Sequence, residues 1–267
     1  MKKYLFILPV FFLVSYCFSQ KESEKEAYRI AIIQFDSFPE QNERNVKEIE
    51  RLAQKAAAMG SKIILFHENT VADYTGDVEK NSEYVPDGPS CRKIEALAKK
   101  LNLYLAFGIS EKTRDNHYYI THVFMGPKGF IYKYRKTWIW RDEDDKGYRN
   151  EWARYDVGNG PEIFKLAGLR ATCFICADGE APRCIQRAQL LKPDIVFYPN
   201  NRAAESEYAK YAERAAQIKA TMLVANRVGK SWQYDCRGGC AVISSSGEIL
   251  AKTSTNQEEI LIYDLQK

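Results

Sequence analysis

Apolar positions along the chain fall into short continuous runs, separated by stretches in which they recur every three or four residues. RIAIIQFD (29–36) is apolar on both faces and predicts a buried strand. Across 41–59, Val46, Ile49, Leu52, Ala53 and Ala56 make one stripe of a helix that Gly60 closes. KIILF (62–66) predicts a strand, Pro89 to Leu101 a helix with Ile94, Leu97 and Leu101 along one side, and LYLAFGIS (103–110) a strand. YYITHVFM (118–125), the turn GPKG and FIYKYRK (130–136) predict a hairpin. LRATCFIC (169–176) predicts a strand that runs into a helix ending at Leu191, followed by the strand DIVFYP (194–199) and a helix from Ser206 to about Ala220. TMLVANRVG, GCAVISSSG and EILAKT predict three closing strands, and EILIYDL an edge strand. This alternation predicts an α/β fold with helices over mixed sheets, and the doubly apolar strands point to layered sheets. No repeat or low-complexity segment interrupts it, so residues 28–267 read as one domain behind a solvated linker at 20–27.

The first residues follow another pattern. Lys2 and Lys3 precede an apolar run from Tyr4 to Val14, then small residues and the charged stretch KESEKE. That predicts a secretory signal peptide over residues 1–19 and an exported protein, periplasmic or extracellular. The run is short for a bilayer span, so no transmembrane anchor is expected after its removal. Cleavage after Ser19 places Cys17 and Ser19 at the small-residue positions; the rival reading is a lipoprotein acylated at Cys17, against which the bulky Tyr16 argues.

The chain is 45% hydrophobic and 28% charged, ordinary for a globular protein. Its formal charge of +4 includes Lys2 and Lys3, so the mature chain carries only +2. With no basic block or basic amphipathic helix, the sequence gives no sign of nucleic-acid binding. Seven cysteines in a chain this long do not make a disulfide scaffold. Cys236 and Cys240, in CRGGC, are close enough for a loop staple and equally compatible with two thiols.

Three polar groups stand at the ends of apolar runs: Glu68 after KIILFH, Lys136 after FIYKYR, and Cys176 before Ala177-Asp178-Gly179. Taken singly, each has an ordinary explanation, a solvated charge or a small core hydrophobe. Together they suffice for acyl transfer. A desolvated carboxylate has its pKa raised enough to deprotonate a thiol, and a fixed ammonium stabilises an oxyanion. A Cys176–His67 pair is the competing hydrolase reading, since His67 adjoins Glu68; no G-x-S-x-G elbow is present. Cys173 and Cys176 form a C-x-x-C, but in a strand they point to opposite faces, as do His117 and His122. No metal or organic cofactor is expected.

In order and context, these residues resemble the nitrilase superfamily of carbon–nitrogen hydrolases, whose members share a Glu–Lys–Cys triad. IILFHEN matches the first motif, KYRKTWIW the second, and GLRATCFICADGEAP the third, with Asp178 and Pro182 in place. EWARYDVG sets Glu151 seven residues before Gly158, as the family sets its second glutamate. The likeness extends from about residue 28 to 264. His67, Val157, Asn159 and Arg183 depart from the usual pattern and leave the subfamily open.

The resemblance implies a four-layer α-β-β-α sandwich with mixed sheets and a homodimer or larger oligomer. It implies Glu68 as base, Cys176 as nucleophile, Lys136 and the Ala177 N–H as oxyanion donors, and Glu151 orienting Lys136. Trp138, Asn200 and Asn201 fall where the family lines its substrate site. The implied substrate is a small amide or N-carbamoyl amide. A nitrile, or a catalytically degenerate amide-binding role, are the alternatives.

Overall fold

The computed structural model describes residues 27–141, 150–203, 206–254 and 256–266. The signal segment, Cys17 and all but the last residue of the stretch read as linker lie outside them. That last residue, Ala27, already opens a strand.

In chain order the elements are β1 (Ala27–Gln34), α1 (Asn42–Ala58), β2 (Ile63–Leu65), α2 (Val78–Asn81), α3 (Pro89–Leu101), β3 (Tyr104–Lys112), β4 (Tyr118–Gly126) and β5 (Gly129–Arg135). β6 (Phe164–Leu166), β7 (Leu169–Cys173), α4 (Pro182–Leu191), β8 (Ile195–Pro199), α5 (Tyr208–Ile218) and β9 (Thr221–Ala225) follow. β10 (Val228–Ser231), β11 (Tyr234–Arg237), β12 (Ala241–Ile243), β13 (Ile249–Lys252) and β14 (Glu259–Gln266) complete the described chain.

Two six-stranded sheets result, ordered β14-β1-β2-β3-β4-β5 and β13-β12-β9-β8-β7-β6, with β10-β11 a separate ribbon. Each sheet has three parallel strands at its centre, β1-β2-β3 and β7-β8-β9, and antiparallel strands outside them. β1 shows why its sequence is apolar throughout. Ile30 and Ile32 join the core shared with the second sheet, while Ala31 and Ile33 join the core under α1 and α3. Ile185 and Ala188 of α4, with Tyr211, Ala215 and Ile218 of α5, bury against the second sheet. The architecture is the expected α-β-β-α sandwich. Among the described residues no helix is long and apolar enough to cross a membrane.

Three readings of local structure change. LRATCFIC is not one strand: β7 stops at Cys173, and Cys176 sits at φ +44° at the start of a 3-10 turn, Cys176–Glu180. The opposite-face argument for the two cysteines therefore falls away. His117 precedes β4, so it shares no strand with His122. TMLVANRVG breaks after Ala225, its two halves entering different sheets. Cys240 is an unbridged thiol whose Sγ donates to the Asn226 carbonyl at 3.4 Å, so CRGGC is not stapled.

Candidate active site

In sheets with parallel centres, loops leaving the carboxyl ends of the strands converge on a cleft. Glu68 lies three residues beyond β2, Cys176 three beyond β7, and Asn200 directly after β8. Lys136 follows β5 directly, and Glu151 opens a 3-10 turn, Glu151–Ala153. Glu68, Lys136 and Glu151 are buried; Cys176 retains 9% exposure.

Lys136 Nζ donates to Glu68 Oε1 at 2.7 Å and to Glu151 Oε1 and Oε2 at 2.8 and 2.7 Å. An ammonium has three protons, so all its donors are taken. Glu151 is itself fixed by the backbone N–H of Trp140 at 2.8 Å. Gly158 explains the spacing that marked Glu151. Its N–H donates to the Lys136 carbonyl at 2.8 Å, and a Cβ there would lie 2.2 Å from the Arg135 carbonyl oxygen. Only glycine allows this close return, which sets the Glu151 turn over the end of β5.

Cys176 is held in a left-handed conformation that non-glycine residues adopt at a cost, a strain common at reactive centres. Its carbonyl accepts from Tyr198 Oη at 2.8 Å, and Arg214 Nη1 donates to that hydroxyl at 3.2 Å. Asp178, two residues on, ties the elbow to the lysine loop. Its Oδ1 accepts from the N–H groups of Thr137 and Trp138 at 2.9 and 2.5 Å, and its Oδ2 from Tyr134 Oη and Ile175 N–H at 2.8 and 2.9 Å.

Burial shifts the titrations. It raises the Glu68 carboxyl to about 7, against the pull of Lys136 and with a push from Glu151. It raises the Cys176 thiol to about 12, with Glu68 adding to the shift while Lys136 and Arg202 oppose it. Burial alone would depress Lys136; Glu151 and Glu68 outweigh it and hold the ammonium well above the ordinary lysine range. The resting site is a protonated thiol beside a carboxylate whose proton affinity suits transfer near neutral pH.

The structure brings the four catalytic candidates together and separates the substrate candidates. Trp138 is 44% exposed, its ring 5.3 Å from the Arg183 guanidinium. Asn200 supports the site from behind: its carbonyl accepts from the Glu68 N–H at 3.3 Å and its amide nitrogen donates to the Tyr198 carbonyl at 2.9 Å. Asn201 is buried and donates to Asp73 Oδ1 at 2.7 Å, which ties it to the Asp73–Arg227 ion pair. His67 donates from Nδ1 to the Glu68 carbonyl at 2.8 Å and packs on Phe35, its Nε2 without a hydrogen-bond partner. Burial lowers its pKa to about 3, which makes it a weak base, and neither ring nitrogen bonds Cys176. Sequence reasoning missed the linking roles of Tyr134, Asp178 and Tyr198; Asp178 stood in the quoted motif without a function.

The profile of the carbon–nitrogen hydrolase family matches residues 29–267. A nitrilase of Pyrococcus abyssi is 23% identical over 241 residues, 89% of each chain. An N-carbamoylputrescine amidase of Arabidopsis thaliana is 24% identical over 246 residues, 83% of this chain and 81% of its own. Among solved structures, an amidase of Nesterenkonia sp. AN1, captured after acrylamide addition at its active-site cysteine, superposes with a TM-score of 0.80 at 19% identity, covering 89% of this chain and 93% of that one. The chain belongs to the carbon–nitrogen hydrolase family, within the nitrilase superfamily, and is a carbon–nitrogen hydrolase.

Proposed function

We propose that the protein hydrolyses a small amide or N-carbamoyl amide through a thioester on Cys176. The observation that carries this reading is one buried ammonium shared by two carboxylates beside a thiol in a strained turn. Glu68 takes the thiol proton as sulfur attacks the carbonyl carbon. The protonated Glu68 loosens its hold on Lys136, and the released N–H, with the Ala177 backbone N–H, meets the developing oxyanion. Glu68 then passes its proton to the leaving nitrogen, and the C–N bond breaks to leave a thioester. Glu68 next deprotonates a water that attacks the thioester, and the thiol re-forms as the acid departs. Glu151 keeps Lys136 charged and in place throughout.

The test is intact-protein mass spectrometry during turnover of primary amides, N-carbamoyl amines and nitriles. An acyl adduct on Cys176, absent from Cys176→Ala along with all turnover, is expected. Turnover by the alanine variant would end the assignment. The nitrilase likeness favours one second reading, in which the same thiolate adds to a nitrile carbon; consumption of nitriles in preference to amides identifies it.

Two further expectations belong to this reading. Exposed Leu190 on α4, 81% accessible, and the groove between α4 and α5 support pairing of two copies through these helices, which light scattering checks. The apolar segment from Tyr4 to Val14 supports export. The mass of the protein recovered from its native compartment separates cleavage after Ser19 from acylation at Cys17.

A further inference from the structure

We propose that Tyr198 and Arg214 are positioning residues of this site: they hold the peptide after Cys176 so that the Ala177 N–H faces the oxygen of the carbonyl under attack. This rests on the hydrolase reading above, which needs sulfur at the carbonyl carbon and that N–H at its oxygen. In a trans peptide the N–H points opposite the carbonyl, so whatever fixes one fixes the other. Tyr198 Oη donates to the Cys176 carbonyl at 2.8 Å. Ala177 is the second residue of the 3-10 turn, so its N–H precedes the turn's own bonds and is left for another acceptor.

The surroundings of Tyr198 commit its hydroxyl to that carbonyl. A guanidinium only donates, and Arg214 Nη1 donates to Tyr198 Oη at 3.2 Å, which leaves the phenol proton for Cys176. The ring is fully buried, its centroid 4.7 Å from that of Phe174 and 5.5 Å from that of Tyr211. Gly179 leaves room for the hydroxyl, since a Cβ there would lie 2.3 Å from Oη.

Arg214, buried on α5, also sits 2.7 Å from Glu180 Oε1. Glu180 is the last residue of the turn that Cys176 opens. One guanidinium therefore holds both ends of the turn, Glu180 directly and the Cys176 peptide through Tyr198. Cys176 lies at φ +44°, a disfavoured conformation that persists only while its surroundings hold it. A released peptide would rotate about the bonds on either side of it. The sulfur would stay in place and the N–H would swing off the oxygen.

The experiment sets two probes of Cys176 against each other in the purified protein. Iodoacetamide alkylates the sulfur at its CH2 group and places no charge on an oxygen. An aldehyde adds the thiol across its carbonyl: sulfur bonds carbon, the thiol proton leaves through Glu68, and the aldehyde oxygen takes the place of the oxyanion. Alkylation of Cys176 is read by peptide mass, and propionaldehyde, butyraldehyde and valeraldehyde are tested for protection against it. In Tyr198→Phe the protecting concentration should rise about 10-fold or more and kcat for amides should fall about 10–100-fold, less than for outright deletion of an oxyanion donor. Alkylation without aldehyde, and KM, should stay near the parent's. Arg214→Met should show a smaller loss that disappears in the Tyr198→Phe background, and Arg214→Lys should recover part of it. Equal falls in alkylation and turnover would mean a collapsed turn and overturn the proposal, as would aldehydes that fail to protect the parent or that protect both proteins alike. Additive losses in the double variant would overturn the relay from Arg214. If no amide is turned over while aldehyde protection still falls in Tyr198→Phe, the hydrolase reading fails and the orientation of Ala177 stands. Parent-like turnover by Tyr198→Phe does the reverse.

Discussion

Asp178→Asn keeps the size of the side chain and removes one acceptor. Every group facing Asp178 is a donor: the N–H groups of Ile175, Thr137 and Trp138, and the Tyr134 hydroxyl. The amide fits best with its NH2 toward Tyr134, whose hydroxyl then accepts from it and turns its own proton to Thr137 Oγ1 at 3.1 Å, so the Ile175 N–H alone loses its acceptor and is left buried. Losing that bond to a charged acceptor costs roughly 1.5–3 kcal/mol, and the bonds from Thr137 and Trp138, now to a neutral oxygen, weaken by roughly 1 kcal/mol each, roughly 3–5 kcal/mol together. Burial works the other way. It raises the Asp178 carboxyl against the bonds from Ile175, Trp138 and Tyr134, and the neutral amide escapes that penalty. The expected net loss is roughly 2–4 kcal/mol. With an m-value of about 2–3 kcal/mol per molar urea, the unfolding midpoint drops by about 1 M. Tryptophan fluorescence against urea measures it, and kcat read below the transition should fall as the lysine loop leaves the elbow. A midpoint within about 0.2 M of the parent would refute the reasoning, since burial would then cancel the bonds.

Other consequences follow from the same geometry. With ionised Glu68 as the proposed base and burial raising its carboxyl to about 7, kcat/KM should be present above that pH and lost as pH falls through it. The limb belongs to the coupled Glu68–Lys136–Cys176 cluster, and a limb at ordinary glutamate values would contradict the burial argument. Cys176→Gly should be more stable than Cys176→Ala by about 1 kcal/mol, because only glycine is at ease at the left-handed position; equal melting temperatures would mean the turn is unstrained. In Gly179→Ala the new Cβ would lie 2.3 Å from Tyr198 Oη, which is fully buried and bonded on both sides. That variant should lose activity and melt earlier, and parent-like alkylation of its Cys176 would show that the elbow can shift.

Glu68, Lys136 and Cys176 stood out because each follows an apolar run that contains a strand, and Glu151 because of its spacing before Gly158. The left-handed turn at Cys176 was not legible, since Phe174 and Ile175 extend the apolar run past the point where pairing stops. β6 is three residues long, and β10 and β11 carry the polar stretch VGKSWQYDCR, so neither has a period to read. The role of Asp178 depends on partners about forty residues away. Asn201 was placed at the pocket by the resemblance, and what the sequence did not show is that its amide nitrogen bonds Asp73 in the buried network with Arg227.

The proposed base and nucleophile are carried by different sheets: Glu68 and Lys136 follow strands of the first, Cys176 a strand of the second. Neither sheet alone contains a reactive centre, and the contact between them is a packed apolar layer with Asp178 at its margin. During folding, then, a chain with one sheet formed carries only an ordinary cysteine, and chemical competence arrives in the same step as docking. The rate at which activity returns on refolding is therefore a clock for the meeting of the two sheets, and it should lag behind any signal that reports strand formation within either one.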